Sequence, residues 1–130
     1  MNADLQQKCA ACRAGAPQVS DEELAQLIRA IPDWTPVVVD EVLQLQRVYE
    51  FKDFAQAWAM CERVAALAED AGHHPALLLE WGRLQVNWWS HKIRGLHRLD
   101  FELAAKTDQL QIPSCWSRIL VFSLILFLRF

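Results

Sequence analysis

Residues 69–100 read EDAGHHPALLLEWGRLQVNWWSHKIRGLHRLD. The stretch opens on the end of a helical pattern, and Gly72 suits a left-handed C-terminal cap. Pro75 holds His74 towards an extended conformation. Two strand-like runs follow, Ala76–Trp81 and Arg83–Ser90. In the second, Leu84, Val86 and Trp88 face one way while Gln85, Asn87 and Trp89 face the other. Gly82 marks a bend between two strands or a bulge within one long bent strand. Gly95 marks a loop, and a last helix is expected from about residue 98 to 110, with Leu96, Leu99, Leu103 and Leu110 on one side.

Upstream, residues 53–70 have helical period, with Phe54, Trp58, Cys61, Ala65 and Ala68 on one stripe. Before them, Leu43, Leu45, Arg47, Tyr49 and Phe51 alternate with Gln44, Gln46, Val48 and Glu50, the period of a strand with one buried face. Trp34–Asp40 holds the β-branched run Val37-Val38-Val39, and Asp40-Glu41 is a turn between hairpin partners. Ser20-Asp21-Glu22-Glu23 is a capping box. Leu24, Leu27, Ile28 and Ile31 follow at helical spacing until Pro32. The order is α-β-β-α-β-β-α. It predicts an α+β fold, an antiparallel four-stranded sheet with helices packed on one face.

The 130 residues suffice for one domain, and 53 % apolar content excludes a disordered chain. Thirteen basic against sixteen acidic side chains give a net charge of −3, which argues against direct nucleic-acid binding. Residues 1–19 read as a tail without the apolar core of a signal peptide, so a cytoplasmic location is expected. Cys9 and Cys12 form one C-x-x-C, too few ligands for a structural zinc site. Cys61 and Cys115 stand apart. The domain is expected over residues 20–112, with an apolar tail over 113–130. Within that tail Ile119–Leu128 reads ILVFSLILFL between Arg118 and Arg129. It is about half the length of a membrane span and lacks a polar face, so membrane contact is not expected.

Three of the four histidines, His73, His74 and His91, lie between Glu69 and Asp100. Spacing alone leaves three readings open: capping of a helix end, a metal site of His73, His91 and a carboxylate, or acid/base chemistry near neutral pH. Dispersed glycines exclude a phosphate loop, and no serine-nucleophile motif occurs. Trp34, Trp81 and Trp89 offer flat walls for an aromatic substrate or ordinary core packing.

Glu69, His73-His74-Pro75, Trp81, His91 and Asp100, at these spacings, resemble the pterin-4a-carbinolamine dehydratase family, known also as the dimerisation cofactor of a homeodomain transcription factor. Tyr49-Glu50-Phe51-Lys52-Asp53-Phe54, Arg63-Val64-Ala65, Ala68-Glu69 and Trp34 fit as well, so the resemblance spans about residues 20–110. It implies dehydration of 4a-hydroxytetrahydrobiopterin to quinonoid dihydropterin, in tetrahydrobiopterin recycling, with no cofactor and no metal. It implies His73 and His91 as the catalytic acid/base pair. His74, Glu69, Trp34, Trp81 and Asp100 would bind or support the pterin. It further implies a homodimer or homotetramer. The alternative is a non-catalytic dimerisation or coactivator-type module on the same fold. The chain departs from the family at Ala76, Ser90 and His97, and Lys92-Ile93-Arg94 adds positive charge.

Overall fold

The run Val37-Val38-Val39 enters the first hairpin of the structure, a computed structural model that describes residues 15–110. Strand β1 (Thr35–Val39) pairs antiparallel with β2 (Val42–Glu50), Val39 opposite Val42. Only Asp40 and Glu41 lie between them. Both take positive φ, 49° and 65°, as a type I′ turn requires.

Strand β3 (Ala76–Glu80) and β4 (Arg83–Trp88) form a second hairpin with Glu80 opposite Arg83. The two runs are therefore separate strands joined by Trp81-Gly82, not one bent strand. Gly82 has φ +124°, and a Cβ there would lie 2.9 Å from the Phe51 carbonyl oxygen. A side chain is excluded both by the backbone conformation and by this close approach. Strands β2 and β4 pair at the centre, giving the order β1-β2-β4-β3.

Helix α1 (Asp21–Leu27) begins at the expected capping box: Glu23 N donates to Ser20 Oγ at 3.2 Å and Ser20 N to Glu23 Oε2 at 3.3 Å. A short 3₁₀ turn, Ile28–Ala30, ends it before Pro32. Helix α2 (Phe54–Ala71) is capped by Asp53, which accepts from Gln56 N, and closes at Gly72 in the left-handed conformation, φ +62°. Helix α3 (Arg98–Gln109) follows the Ser90–Gly95 bridge. Arg98 pairs with Glu23, tying α3 to α1 and holding the Glu23 carboxyl below its ordinary value.

Leu45, Tyr49, Leu84, Val86 and Trp88 fill the inner face of the sheet, against Met60, Val64 and Ala68 of α2 and Phe101, Leu103 and Ala104 of α3. The fold is the expected α+β arrangement. The stripe of α2 is a correction. The buried positions are Ala57, Met60, Val64 and Ala68, whereas Phe54 and Trp58 are 48 % and 49 % exposed. Two alanines, a compact valine and a flexible methionine let the helix sit close over the large sheet residues. The outer face of the central strands carries an amide cluster. Asn87 Nδ2 donates to Gln44 Oε1 at 2.9 Å, and Asn87 Oδ1 accepts from Gln85 at 3.2 Å. Gln18 and Val19 bond the loop at Ile93 and Leu96. The Cys9/Cys12 pair, Cys115 and the apolar run Ile119–Leu128 lie outside the described residues.

Candidate active site

The second hairpin sets the geometry of the histidines. His73 and His74 precede β3, and His91 follows β4 by three residues, so the antiparallel pairing returns all three to one end of the sheet. The first turn of α3 reaches the same end and delivers Asp100.

Asp100 is fully buried and joins three partners. Its Oδ1 accepts from His73 Nε2 at 2.7 Å. Its Oδ2 accepts from Ser90 Oγ at 2.7 Å and from the His97 backbone N–H at 2.8 Å. One carboxylate thus serves as helix-capping group and as histidine partner at once. Because the carboxylate accepts, the His73 proton is fixed on Nε2. The His73 ring, 2 % exposed, lies parallel to Trp88 at 5.9 Å between centroids and 7° between planes.

His91 is exposed and stacks on Trp89, 4.2 Å between centroids. Its Nε2 donates to the His74 carbonyl at 3.0 Å, which leaves Nδ1 as its proton-exchanging nitrogen. His74 is itself exposed and pairs with Glu69, Nε2 to Oε1 at 2.7 Å. The site thus has a buried histidine–carboxylate couple behind two exposed histidines. Each imidazole is oriented by a hydrogen bond, an arrangement suited to moving protons between defined positions. Among the described residues no group of three or more His, Cys, Asp or Glu could hold a metal ion.

The structure brings together Glu69, His73, His74, His91 and Asp100. It does not bring Trp34 or Trp81 to them. Trp81 is 72 % exposed at the tip of the β3–β4 hairpin. Five strand residues, about 16 Å, separate it from the histidines. Trp34 is buried near the other end of α3, where Asp108 lies about 12 Å along the helix from Asp100. There Trp34 Nε1 donates to Asp108 Oδ1 at 3.0 Å, and Arg47 donates to the same oxygen at 2.6 Å. The Tyr49 hydroxyl bonds it too, and burial with this contact pushes the phenol well above its ordinary value. The Arg47 guanidinium lies 4.5 Å from the Tyr49 ring centroid. Trp34 is thus part of a clasp fastening α3 to the sheet.

Sequence reasoning missed Trp88 as a wall beside His73 and the role of Ser90 towards Asp100. The hydroxyl just before His91 was the available signal. It also missed that His97 caps α3, its Nδ1 accepting from Leu99 N at 3.1 Å. His97→Ala is expected to lower stability by about 1 kcal/mol in urea denaturation. Turnover of the folded variant should be little changed, because Asp100 keeps its bond to the residue-97 backbone.

The family model described as pterin 4 alpha carbinolamine dehydratase matches residues 17–110. A transcriptional coactivator/pterin dehydratase from Brucella melitensis is similar at 27 % identity and a TM-score of 0.67, the match covering 74 % of this chain and 100 % of that one. A pterin dehydratase-like protein identified as a RuBisCO assembly factor in the alpha-carboxysome shares the fold. Its TM-score is 0.52 at 21 % identity, over 61 % of this chain and 89 % of that one.

Proposed function

The chain belongs to the pterin 4 alpha carbinolamine dehydratase family, and we propose that it dehydrates a 4a-hydroxytetrahydropterin to the quinonoid dihydropterin and water. The observation that carries this reading is the pair of oriented imidazoles, His73 on Asp100 and His91 on the His74 carbonyl. The reaction needs a proton delivered to the departing 4a-hydroxyl, which leaves as water, and a proton removed from the pterin ring. Two histidines at one site supply an acid and a base for these steps.

In this reading His91, exposed on the Trp89 ring, presents Nδ1 to the substrate. His73 works from the floor of the site. Asp100 fixes its tautomer, and the imidazole accepts the ring proton and returns it to solvent after release. His74, steadied by Glu69, holds the pterin. Asp100 supports rather than touches the substrate, being fully buried. Trp34 and Trp81 take no part within one chain, and Trp89 is the aromatic wall at hand. The working form is a cytoplasmic homo-oligomer. Strands β1 and β3 leave both sheet edges open, and β3, reading ALLLE, has no proline to block pairing.

The test is turnover of 4a-hydroxytetrahydropterin by the purified chain. Turnover is expected, and at the same rate in EDTA, since acid/base catalysis by imidazoles asks for no metal. Loss in EDTA that one added metal restores would return His73 and His91 to a metal-site reading. A folded protein without turnover would favour the binding-module reading, in line with the similar transcriptional coactivator/pterin dehydratase and RuBisCO assembly factor.

A further inference from the structure

We propose that Trp89 is a positioning residue: its indole fixes the ring plane of His91 and so aims the Nδ1 that exchanges the proton. The inference rests on the reading of His91 as an acid/base group. Four consecutive residues, Trp88-Trp89-Ser90-His91, alternate in what they touch, the period of extended backbone. Trp88 stacks on His73 and Ser90 bonds Asp100, so that pair serves the buried imidazole. Trp89 and His91 turn instead to one another, 4.2 Å between ring centroids and 24° between planes.

The two imidazoles are not equally held. His73 is enclosed by the fold. His91 is exposed, and among the described residues its ring makes one hydrogen bond, from Nε2 to the His74 carbonyl at 3.0 Å. A ring tied only at Cβ and Nε2 can still rock about the line through those atoms, and Nδ1 swings with it. A plane laid against the ring stops that motion. Trp89 is suited to supply the plane, because its indole is half-buried and packed against the core. The backbone beside it is pinned as well: Ser90 N donates to the Gly95 carbonyl at 2.8 Å, closing the loop that carries His91.

The indole face that meets His91 is filled by the imidazole, so it is not a face on which a pterin stacks. The effect of Trp89 therefore falls on the chemical step. Misplacing a reacting group by about 1 Å costs about 10²-fold in rate.

The test compares Trp89→Leu, which keeps apolar volume without a flat ring, with Trp89→Phe, which keeps the flat ring. Trp89→Leu is expected to lower kcat for 4a-hydroxytetrahydropterin by about 10–100-fold, with KM within about twofold of wild type. Trp89→Phe should restore most of the loss. A raised KM at unchanged kcat would make Trp89 a pterin wall and overturn the proposal. So would equal kcat in the two variants, or a lower urea midpoint as the sole effect of Trp89→Leu.

Nitrogen-15 and proton spectra of the His91 ring, assigned by their absence in His91→Ala, give a readout that needs no turnover. At alkaline pH wild type and Trp89→Phe should show one tautomer, protonated at Nε2, with the ring C–H protons shifted upfield by the stacked aromatic. In Trp89→Leu the upfield shift should vanish and both tautomers should appear. Identical His91 spectra in wild type and Trp89→Leu overturn the proposal. The expected spectra from a wild type without turnover would fault the proposed reaction and uphold the hold of Trp89 on His91. Should Trp89→Leu not fold, the wild-type spectrum decides, and His91 ring protons without an upfield shift overturn the proposal.

Discussion

His73→Ala and His91→Ala are each expected to lower turnover of 4a-hydroxytetrahydropterin by about 10²–10⁴-fold, the usual contribution of a positioned general acid or base. That is about 2.7–5.4 kcal/mol of activation free energy. The two losses should combine to less than their product if both groups act in one proton-transfer sequence. The variants should differ in stability. His91 is exposed and its removal leaves one carbonyl to solvent, whereas His73 is buried and its removal orphans one oxygen of Asp100. His74→Ala should raise KM more than it lowers kcat, because its bond to Glu69 lies on the exposed rim. Steady-state kinetics on variants shown folded by circular dichroism decides the matter. Wild-type turnover in both the His73 and His91 variants would remove them from the chemistry.

Asp100→Ala is expected to destabilise the fold by about 3 kcal/mol or more, because each buried donor left without its acceptor costs about 1–3 kcal/mol. Three donors lose their acceptor together: His73 Nε2, Ser90 Oγ and the His97 backbone N–H. Against a total stability of about 5–15 kcal/mol, that is a large share. Ser90→Ala removes only one of the three bonds and should cost about 1 kcal/mol. Urea denaturation of the two variants checks the order. An Asp100→Ala midpoint equal to that of Ser90→Ala would show that the carboxylate does not organise this corner.

The elements were legible because their signals are local. Ser20 and Glu23 announce α1, Gly72 closes α2, and the alternation through Leu84, Val86 and Trp88 fixes which side of β4 is inward. Trp81-Gly82 was ambiguous. It lacks the Asn-Gly or Asp-Gly pair that marks a tight hairpin, and its glycine is needed for the approach to Phe51. The buried side of α2 was misleading because the helix carries two apolar stripes, one with the larger side chains. Size favoured Phe54 and Trp58, but packing over a sheet already filled with Tyr49 and Trp88 favoured Ala57, Val64 and Ala68. At the site, the histidines and Asp100 fall within one stretch and could be read together. The Asp108 clasp joins positions 34, 47, 49 and 108, and no pattern along the chain links them.

That difference in span has an entropic side. The His73–Asp100 bond closes a loop of 27 residues, and the Trp34–Asp108 bond one of 74. With closure entropy growing as three-halves of the logarithm of length, the longer loop costs about 0.9 kcal/mol more. Assembly of the histidine cluster is thus largely an affair of 32 consecutive residues, the second hairpin and one helix turn. The clasp instead recruits the two ends of the domain. Weakening it, at Asp108 or Arg47, lengthens no loop that the histidines must close.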